Sequence, residues 1–405
     1  MNILQIHKFF YKRDGASNYM FELSELLHEQ GHNVIPFSTN HPKNIKSPYS
    51  KYFVTYRDLS DTKNISFLQK IKIIDNFIYS HEAKIKLEQL LDNEVQIDIA
   101  HIHNIYHHIT PSILPVLKKR GIKIVMTLHD YKLFSPNYSM FHHGKIQKKD
   151  AKGWYLKNIF GKSFDNSYSK SILVTAEMIF HHKIMNYYGK YVDMFIAPSK
   201  FMKDLYIEMG WPKDKITHIT NPAMPIKQQG FVEGKYVTYV GSLIEQKGIQ
   251  YLLEAAQRLP EIPFMIIGTG QNQSEYKSFV KKHNIKNIRF TGFQTGATLK
   301  SLLQEARIVV LPSVWYENYP LSILEAKMAQ KVTIASDIGG LPEIVPKELL
   351  VAPNDSNDLA LKIQTWYVAD KIKRQEMGKK LRAQVLDHND PQKHVQKIIA
   401  VYTSV

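Results

Sequence analysis

Short apolar runs alternate with longer amphipathic segments along the chain. In the first half, five runs rich in Ile, Val, Met and Phe predict strands: ILQIH, NVIPFS, IDIAHIH, KIVMTLH and MFIAPS. Between them, apolar residues recur at helical spacing, as from Ser17 to Gln30, where Gly31 supplies a stop. Strands that alternate with helices are typical of a parallel sheet with crossover helices. The first half is therefore predicted to be an α/β domain.

The same alternation begins again after a break. The segment NPAMPIKQQGFVEGK, residues 221–235, contains two prolines and two glycines, which predicts a linker. Beyond it, five further runs predict strands: KYVTYVGSL, PFMIIGTG, NIRFTGF, RIVVLPS and KVTIAS. We therefore predict two doubly wound parallel-sheet domains, at 1–220 and 228–390. Because ligands bind beyond the carboxyl ends of the strands in such sheets, two facing domains would share one cleft.

The last segment, 391–405, carries apolar residues at helical spacing, namely Val395, Ile398, Ile399 and Tyr402. A helix with one apolar face must bury that face against another element. We expect it to pack back on the amino-terminal domain.

Composition excludes several kinds of chemistry. The 405 residues are 44% hydrophobic and 22% charged, which suffices for two cores. Because the chain has no cysteine, disulfides, thiolate zinc sites, iron–sulfur clusters and a cysteine nucleophile are excluded. The start, MNILQIHKFF, resembles a first strand and not a signal peptide, and no uncharged apolar stretch approaches the roughly 18 residues that span a bilayer. We expect a cytoplasmic protein.

A net charge of +16 indicates a polyanionic partner, such as nucleic acid, an anionic lipid surface or phosphate-bearing substrates, unless it is only a basic solvated surface. From Phe141 to Lys190 there are nine lysines and three acids, interleaved with aromatic residues. This pattern is typical of a surface that docks on the inner face of the cytoplasmic membrane. Core aromatics beneath an ordinary lysine-rich face explain it equally well, and both interpretations stay open.

Two acids in the segment LPSVWYENYPLSILEAKMAQ, residues 311–330, are candidates for ligand binding. Glu317 and Glu325 are eight residues apart, and Pro320 between them suits the first position of a helix. The amides at the start of that helix would favour an anion in the cleft. Taken by itself, the pair is also what a loop acid and a surface helix acid would produce.

Other motifs accompany this pair in a fixed order. They are TLHD (127–130), IAPSKFMKDL (196–205), YVGSLIEQKG (239–248), MIIGTG (265–270), IRFTGF (288–293) and ASDIGGLPEIV (335–345). With the E-x₇-E pair, they resemble the retaining glycosyltransferases of family 4, which have the GT-B fold, and they span nearly the whole chain. The resemblance implies two facing Rossmann-like domains with the active site in the interdomain cleft.

The resemblance also implies roles for residues on the nucleotide-sugar side. Glu325 matches the carboxylate that accepts both ribose hydroxyls, and Glu317 matches the one that holds hydroxyls of the donor sugar. The amides of Asn318 and Tyr319 lie beside Glu317. Lys247 matches the lysine that binds the diphosphate and stabilises the leaving group.

The resemblance also assigns loop residues to the donor site. Gly15 matches the glycine loop that lies against the diphosphate, Gly270 lies in the MIIGTG motif, and the backbone near Phe293 recognises the base. Ser242 stands where the family usually has Arg, and Gly15 is followed by Ala where the family usually has a second Gly. One diphosphate cation is therefore missing unless Arg13 or another cation replaces it.

The acceptor side is assigned in the same way. His129 matches the family histidine near the donor sugar and the acceptor hydroxyl, and we place His103, Arg13 and Tyr138 around the acceptor. The histidines His101, His103, His107 and His108 also raise the alternative of a zinc site. Because no carboxylate follows them at ligand spacing, strand-end histidines that line an acceptor pocket are favoured.

The predicted reaction is transfer of a hexose-type sugar, with retention, from a nucleotide diphosphate sugar to a cell-envelope glycan or lipid-linked acceptor. UDP is expected on frequency alone. The chain has no D-x-D motif, so we expect neither a catalytic metal nor another cofactor. One rival is a non-transferring relative such as a sugar-nucleotide epimerase. The other is a basic nucleic-acid-binding protein, but no nucleic-acid module is recognised, and we expect no nucleic-acid partner.

Overall fold

The computed structural model describes residues 1–57, 76–225 and 230–405. The strands in these ranges are β1 (Asn2–Ile6), β2 (Asn33–Phe37), β3 (Thr39–Asn40), β4 (Val54–Thr55), β5 (Ile99–Ile102), β6 (Lys123–Thr127), β7 (Phe141–His142), β8 (Lys145–Ile146), β9 (Met194–Ala197), β10 (Ile216–His218), β11 (Tyr236–Val240), β12 (Phe264–Ile267), β13 (Ile288–Gly292), β14 (Ala306–Leu311), β15 (Val332–Ser336) and β16 (Leu350–Val351). The α-helices are α1 (Gly15–Glu29), α2 (His81–Asn93), α3 (Leu114–Lys119), α4 (Lys157–Phe160), α5 (Tyr168–Met178), α6 (Tyr187–Tyr191), α7 (Lys200–Glu208), α8 (Ile249–Arg258), α9 (Gln273–Lys282), α10 (Gly296–Gln304), α11 (Leu321–Met328), α12 (Ser356–Val368), α13 (Lys371–His388) and α14 (Pro391–Ser404).

The described residues contain two large parallel sheets, each with six strands. The first has the order β10-β9-β6-β5-β1-β2 and the second the order β13-β12-β11-β14-β15-β16. The strand order reverses between β1 and β5 in the first sheet, and between β11 and β14 in the second. Ligands bind at such reversals, beyond the carboxyl ends of the strands. The two crevices therefore lie after β1 and β5, and after β11 and β14.

The strands predicted from the apolar runs are present within a few residues of their expected bounds. Most of them are buried on both faces, which is why their sequences are nearly continuous apolar runs, whereas the edge strand β13 is only partly buried. In β1, for example, Leu4 and Ile6 belong to one core and Ile3 to another. The sequence missed the short edge strands β10 and β16, which have too few residues to show a pattern.

The first helix begins earlier than predicted, at Gly15 and not near Ser17. Asp14 is the N-cap, and its side chain accepts from the Ser17 amide at 3.0 Å while the Ser17 hydroxyl accepts from the Asp14 amide at 3.0 Å. This reciprocal capping satisfies two amides at the helix start. It also fixes the loop after β1, which reaches the first crevice.

The last helix, α14, completes a core of the amino-terminal sheet. Its residues Val395, Ile398 and Tyr402 pack in one cluster with Ile3, Leu23 and Val125. Asp390 caps its first turn by accepting from the Lys393 amide at 2.7 Å. The chain therefore crosses between the two sheets twice, once near 219–235 and once near 389–391. Residues 226–229 of the predicted linker lie outside the described residues.

The segment between β6 and β9 adds a subdomain of its own to the first sheet. It contains the β7–β8 hairpin, α4, α5, a π-helical turn (Ile179–Ile184) and α6. None of the helices in the described ranges combines the length and the apolar composition needed to cross a membrane.

Candidate active site

Glu317 and Lys247 meet at the crevice of the second sheet. Glu317 follows β14, is 3% exposed, and uses one oxygen, Oε1, to accept from Lys247 Nζ at 2.6 Å, Ser313 Oγ at 2.5 Å and Trp315 Nε1 at 2.9 Å. Three donors on one oxygen hold the carboxylate in a single orientation. The other oxygen, Oε2, accepts no hydrogen bond from the residues that the structure describes. It is the oxygen left for a ligand.

A glycine brings Lys247 to this position. Lys247 ends a 3₁₀ turn after β11, and Gly248 follows it with φ of +66°. A Cβ at Gly248 would lie 1.9 Å from the carbonyl oxygen of Pro312, so any side chain would push the two loops apart. The close contact of these loops is what places the lysine beside Glu317.

A second pair of glycines packs against the Glu317 turn. Gly339 has φ of +63°, and a Cβ there would lie 2.5 Å from the carbonyl oxygen of Glu317. A Cβ at Gly340 would lie 1.9 Å from the carbonyl oxygen of Asn318. The Gly340 amide donates to the Glu317 carbonyl at 2.7 Å. The motif ASDIGG is therefore a backbone support for the two residues that carry the site.

Asn318 connects the two domains. Its side chain donates to the carbonyl of Leu128 at 3.1 Å and accepts from Ser199 Oγ at 3.0 Å. The hydroxyl of Tyr131 donates to the Tyr316 carbonyl at 3.0 Å. Because Leu128 directly precedes His129, these bonds bring the end of β6 next to the Glu317 turn. The sequence assigned only the Asn318 amide and did not show this role of its side chain.

Tyr319 is an anchor and its side chain does not enter the crevice. Asn389 donates to its hydroxyl at 2.9 Å, Asn221 donates to its carbonyl at 3.0 Å, and burial raises the pKa of Tyr319 to about 12. Asn221 and Asn389 lie in the two segments where the chain passes from one domain to the other. The helix after it begins at Leu321 with Pro320 as N-cap, and not at Pro320 as predicted, since Pro320 has the extended backbone of a cap residue.

His129 is supported from behind by a chain of polar side chains. Its Nε2 is 2.9 Å from His103 Nδ1, and His103 Nε2 is 2.6 Å from Gln5 Oε1. Burial lowers the pKa of His129 to about 3 and lowers that of His103 well below its usual value. Both rings are therefore neutral near physiological pH.

The placement of His103 at the acceptor is corrected by this geometry. His103 is fully buried behind His129, so it supports that ring and does not line an open pocket. His101 stacks on His103 with ring centroids 4.6 Å apart, and bonds Tyr402 at 2.5 Å and Thr127 at 2.7 Å. Within 1–57, 76–225 and 230–405, no three His, Asp or Glu side chains are grouped to hold a metal ion.

Three loops after neighbouring strands form the rest of the second crevice. Ser242 is exposed after β11, and its carbonyl accepts from Tyr239 at 2.9 Å. Gly270 follows β12, and a Cβ there would lie 2.3 Å from the carbonyl of Leu243. Phe293, after β13, is 56% exposed. These predicted donor residues therefore lie at one edge of the sheet, the edge that Lys247 and Glu317 also share.

Glu325 lies in α11, and burial raises its pKa. Its neighbour across the domains is Glu22 of α1, whose pKa is raised to about 7 by burial and then by the charge of Glu325. The sequence did not single out Glu22. In the sequence, Glu22 stands out only as a carboxylate within the apolar stretch Tyr19 to Leu23, and this position does not indicate that it lies near Glu325.

Replacing Glu22 tests this electrostatic link. A carboxyl whose pKa is raised in the folded state binds its proton more tightly there, so its stability contribution is present at low pH and is lost as pH rises from about 4.5 to about 7. Glu22→Gln has no proton to lose, so its free energy of unfolding should fall by about 1 to 2 kcal/mol less over this pH range than that of the wild type. This figure is smaller than the full pKa shift implies, because solvent screens a partly exposed group. Unfolding midpoints at about pH 5 and about pH 8 measure it. Glu376→Gln, an exposed change on α13, should leave the pH dependence as it is.

The remaining predicted residues lie around the first crevice. Gly15 is the first residue of α1, and the space beside it is open. Arg13 is exposed, with its guanidinium carbon 4.2 Å from the centre of the Phe9 ring. Tyr138 stacks on Tyr106 with centroids 5.7 Å apart. The Arg13 guanidinium therefore lies over Phe9, on the side of the first domain.

Family models match both halves of the chain. The model of Glycosyltransferase Family 4 matches residues 13–223, more than half of the chain, and the model of Glycosyl transferases group 1 matches residues 224–384. The chain belongs to glycosyltransferase family 4. The predicted family is confirmed.

Other proteins are similar to this family 4 glycosyltransferase in sequence or in fold. An uncharacterized 42.6 kDa protein in the cps region of Klebsiella pneumoniae is 26% identical over 361 residues, which are 85% of this chain and 87% of that one. WcaL of Escherichia coli, a putative colanic acid biosynthesis glycosyltransferase, is 24% identical over 236 residues, 51% of this chain and 55% of that one. The solved structure of Anabaena HepE in complex with UDP-glucose has a TM-score of 0.69 at 15% identity and covers 100% of both chains. The GT-B fold is confirmed.

Proposed function

We propose that this family 4 glycosyltransferase transfers a hexose-type sugar from a UDP-sugar to a cell-envelope glycan or lipid-linked acceptor, with retention of configuration and without a metal. The observation that carries the proposal is the Lys247–Glu317 pair at the second crevice, held next to His129 by Asn318. Colanic acid is named for the relative WcaL, and UDP-glucose for the structural neighbour HepE. Those names support the acceptor class and the donor class.

Each of these groups has a task in the proposed reaction. Glu325 accepts the ribose hydroxyls, and Glu317 Oε2 accepts hydroxyls of the donor sugar. Lys247 donates to the diphosphate oxygens, where negative charge grows as the bond to the sugar breaks. No protein nucleophile is involved. The departing phosphate oxygen takes the proton of the acceptor hydroxyl as the new bond forms on the same face of the sugar.

A donor screen tests the proposal directly. The full chain is incubated with UDP-, GDP- and ADP-hexoses, and release of free nucleoside diphosphate is measured with and without EDTA. We expect release from a UDP-sugar, unchanged by EDTA, and, when a glycan acceptor is added, an α-linked product from an α-linked donor. Loss of activity in EDTA with recovery in Mn²⁺ would contradict metal independence. Conversion of the sugar without release of nucleotide would favour the epimerase alternative, and an inverted product would contradict retention.

Glu325→Ala should weaken UDP binding by about 10- to 100-fold, since a charged hydrogen bond contributes about 1.5 to 3 kcal/mol. The reason is the loss of the ribose acceptor, and calorimetry with UDP measures it. Glu376→Ala, an exposed change on α13, serves as the matched control. Unchanged UDP affinity in Glu325→Ala would contradict the ribose assignment.

We also propose that the enzyme docks on anionic lipid at the inner face of the cytoplasmic membrane. Several large apolar side chains project into solvent from the segment between β8 and α6: Trp154, Leu156, Phe160, Tyr168, Ile172, Ile184 and Met185. Phe160 is 79% exposed and Ile184 65% exposed. Lysines lie among them, with Lys162 Nζ 4.4 Å from the centre of the Tyr168 ring. Apolar groups flanked by lysines fit an anionic lipid surface.

At the start of the basic segment 141–190, Lys148 and the β7–β8 hairpin lie near the second domain and not on the proposed docking surface. Lys148 pairs with Glu208 at 3.0 Å, and its Nζ lies 5.7 Å from the centre of the Tyr316 ring in the second domain. Gly144 also lies close to that domain, since a Cβ at Gly144 would be 3.6 Å from Glu245 Oε1. The β7–β8 hairpin therefore faces the cleft, and only the part from Lys152 onward belongs to the proposed docking surface.

Replacing Lys152, Lys157 and Lys183 together by Gln should lower binding to phosphatidylglycerol vesicles by about 100-fold, because each lysine near such a surface contributes about 1 kcal/mol. Cosedimentation at low salt measures it. The matched control replaces Lys371, Lys373 and Lys379 of α13, which removes the same charge elsewhere. Phe160→Ser should weaken binding at high salt too. Equal binding to neutral and anionic vesicles, or no binding to either, would contradict the proposal.

A further inference from the structure

Five aromatic rings pack together at the crevice of the first sheet. Phe9 and Tyr11 follow β1, His41 follows β3, Tyr56 follows β4 and His108 follows β5. Tyr11 stacks on His41 with centroids 4.6 Å apart, Tyr56 stacks on His108 at 5.4 Å, and Phe9 lies 5.9 Å from His108. Phe9 is 3% exposed, whereas the other four rings are partly exposed. We call these five residues the aromatic platform.

The platform adjoins His129. The amide of Phe9 donates to His7 Nδ1 at 3.0 Å, and the His7 ring lies 6.2 Å from the His103 ring, which bonds His129. The platform therefore begins two rings away from the histidine that the proposed function places at the acceptor hydroxyl. It also occupies the strand reversal between β1 and β5, where an open parallel sheet binds its ligand.

Cations surround the platform. The Arg13 guanidinium lies over Phe9, and Lys8 Nζ lies 3.9 Å from the centre of the Tyr106 ring, two residues before His108 in the loop after β5. The pKa of His108 is lowered to about 3, first by burial and then by the charges of Lys8, His107, Arg13 and Arg57. Arg57 is itself paired with Glu82 at 2.8 Å. Arg13 is thus the exposed cation of this surface, and Lys8 lies deeper, where burial lowers its pKa to about 8.

The nearby acids are engaged with their own loops. Asp14 caps α1 by accepting from the Ser17 amide at 3.0 Å. Asp130 accepts from the Tyr106 hydroxyl and from the Lys132 amide. The Lys132 ammonium is paired with the buried Glu177 at 2.7 Å. Because these acids serve local partners, the outer face of the platform keeps the exposed charge of Arg13.

From this arrangement we infer that the acceptor is an anionic sugar, held with its ring against the platform and its carboxylate or phosphate against Arg13 and Lys8. This inference rests on the proposed function and narrows its acceptor. Arg pairs with either anion through two parallel hydrogen bonds. The apolar face of a sugar ring packs on aromatic rings, which leaves its hydroxyls free to point toward His129.

Binding of simple glycosides tests the inference. Saturating UDP is included so that anions cannot occupy the donor diphosphate site. The probes are methyl glucoside, methyl glucuronide, glucose 6-phosphate and inorganic phosphate, and dissociation constants are measured by NMR titration. We expect one of the two anionic sugars to bind at least about tenfold more tightly than methyl glucoside, as a charged hydrogen bond implies. The preferred probe distinguishes a sugar carboxylate from a sugar phosphate.

Two variants locate the anion site. Arg13→Gln should abolish the preference for the anionic sugar, Arg13→Lys should retain part of it, and Arg258→Gln, an exposed change on α8, should leave it unchanged. Tyr56→Ala, which removes a platform ring that stacks on His108, should weaken sugar binding and leave inorganic phosphate unaffected.

Several results would overturn the inference. They are equal affinity for neutral and anionic sugars, no binding of any sugar at millimolar concentration, and inorganic phosphate that binds as tightly as the sugar. UDP affinity of Arg13→Gln is measured in parallel. If Arg13→Gln weakens UDP and leaves the sugar preference intact, Arg13 serves the donor and the inference fails while the proposed function stands. If the wild-type chain binds no nucleotide sugar, the proposed function fails whatever the glycosides do.

Discussion

Glu317→Ala should lower the turnover number for sugar transfer by about 100- to 1000-fold and leave UDP affinity nearly unchanged. The carboxylate is fixed by three donors on Oε1, so Oε2 meets the donor sugar without reorganisation. Interactions that are preorganised for the transition state raise the turnover number and not the binding of the nucleotide. Single-turnover kinetics and UDP calorimetry on the same preparation separate the two effects.

A purely structural role for Glu317 would give a different result. Removing a buried carboxylate leaves Lys247 without its partner, which also destabilises the fold. Glu317→Gln keeps the size and one acceptor oxygen, so its unfolding midpoint should stay closer to that of the wild type while its turnover stays low. A Gln variant with full turnover, or an Ala variant whose UDP affinity falls in parallel with its turnover, would contradict the assignment to the donor sugar.

Lys247→Gln should lower the turnover number by about 100-fold and weaken UDP binding by at least about tenfold, while uridine binding stays the same. The Lys247 ammonium donates one of its three hydrogens to Glu317, and the other two can be donated to diphosphate oxygens. The comparison of UDP with uridine isolates the diphosphate, because both ligands contain the same base and ribose.

The charge of Lys247 and its position are tested separately. Lys247→Arg keeps the charge, but its longer, planar guanidinium cannot make the same hydrogen bond to Glu317. We therefore expect a UDP affinity between those of Lys247→Gln and the wild type, together with a low turnover number. Lys277→Gln, an exposed change on α9, controls for net charge. Equal loss of uridine and UDP binding in Lys247→Gln would mean a collapsed site and would contradict a diphosphate role.

Much of the fold could be predicted from the sequence because it follows from local patterns. Buried parallel strands are nearly continuous apolar runs, and the ten predicted strands were found within a few residues. The start of α1 was missed, because the capping pair of Asp14 and Ser17 lies before the apolar pattern begins. Helix boundaries depend on a few polar atoms that apolar periodicity does not reveal.

Contacts between distant residues could not be predicted. Lys247 and Glu317 are 70 residues apart, and their pairing requires both loops of the second crevice. The burial of His103 behind His129 follows from the neighbouring strands β5 and β6. Glu22 approaches Glu325 only because the two domains face each other. The sequence had named Lys247, Glu317, His129, His103 and Glu325, but not Glu22, and only the three-dimensional packing revealed which of these side chains meet.

The position of α14 has a consequence for synthesis of the protein. The amino-terminal sheet lacks Val395, Ile398 and Tyr402 until the ribosome has made nearly 400 residues, so Ile3, Leu23 and Val125 stay uncovered while the whole second domain is translated. The strands of the second domain lie between 236 and 351, and its core also includes Leu381 and Val385 of α13, so this domain is complete just before α14 is made. Domains usually fold from the amino terminus during translation. In this chain the last core contacts of the first domain can form only after the second domain has been made, so we expect the nascent first domain to present an apolar face that chaperones can bind until then.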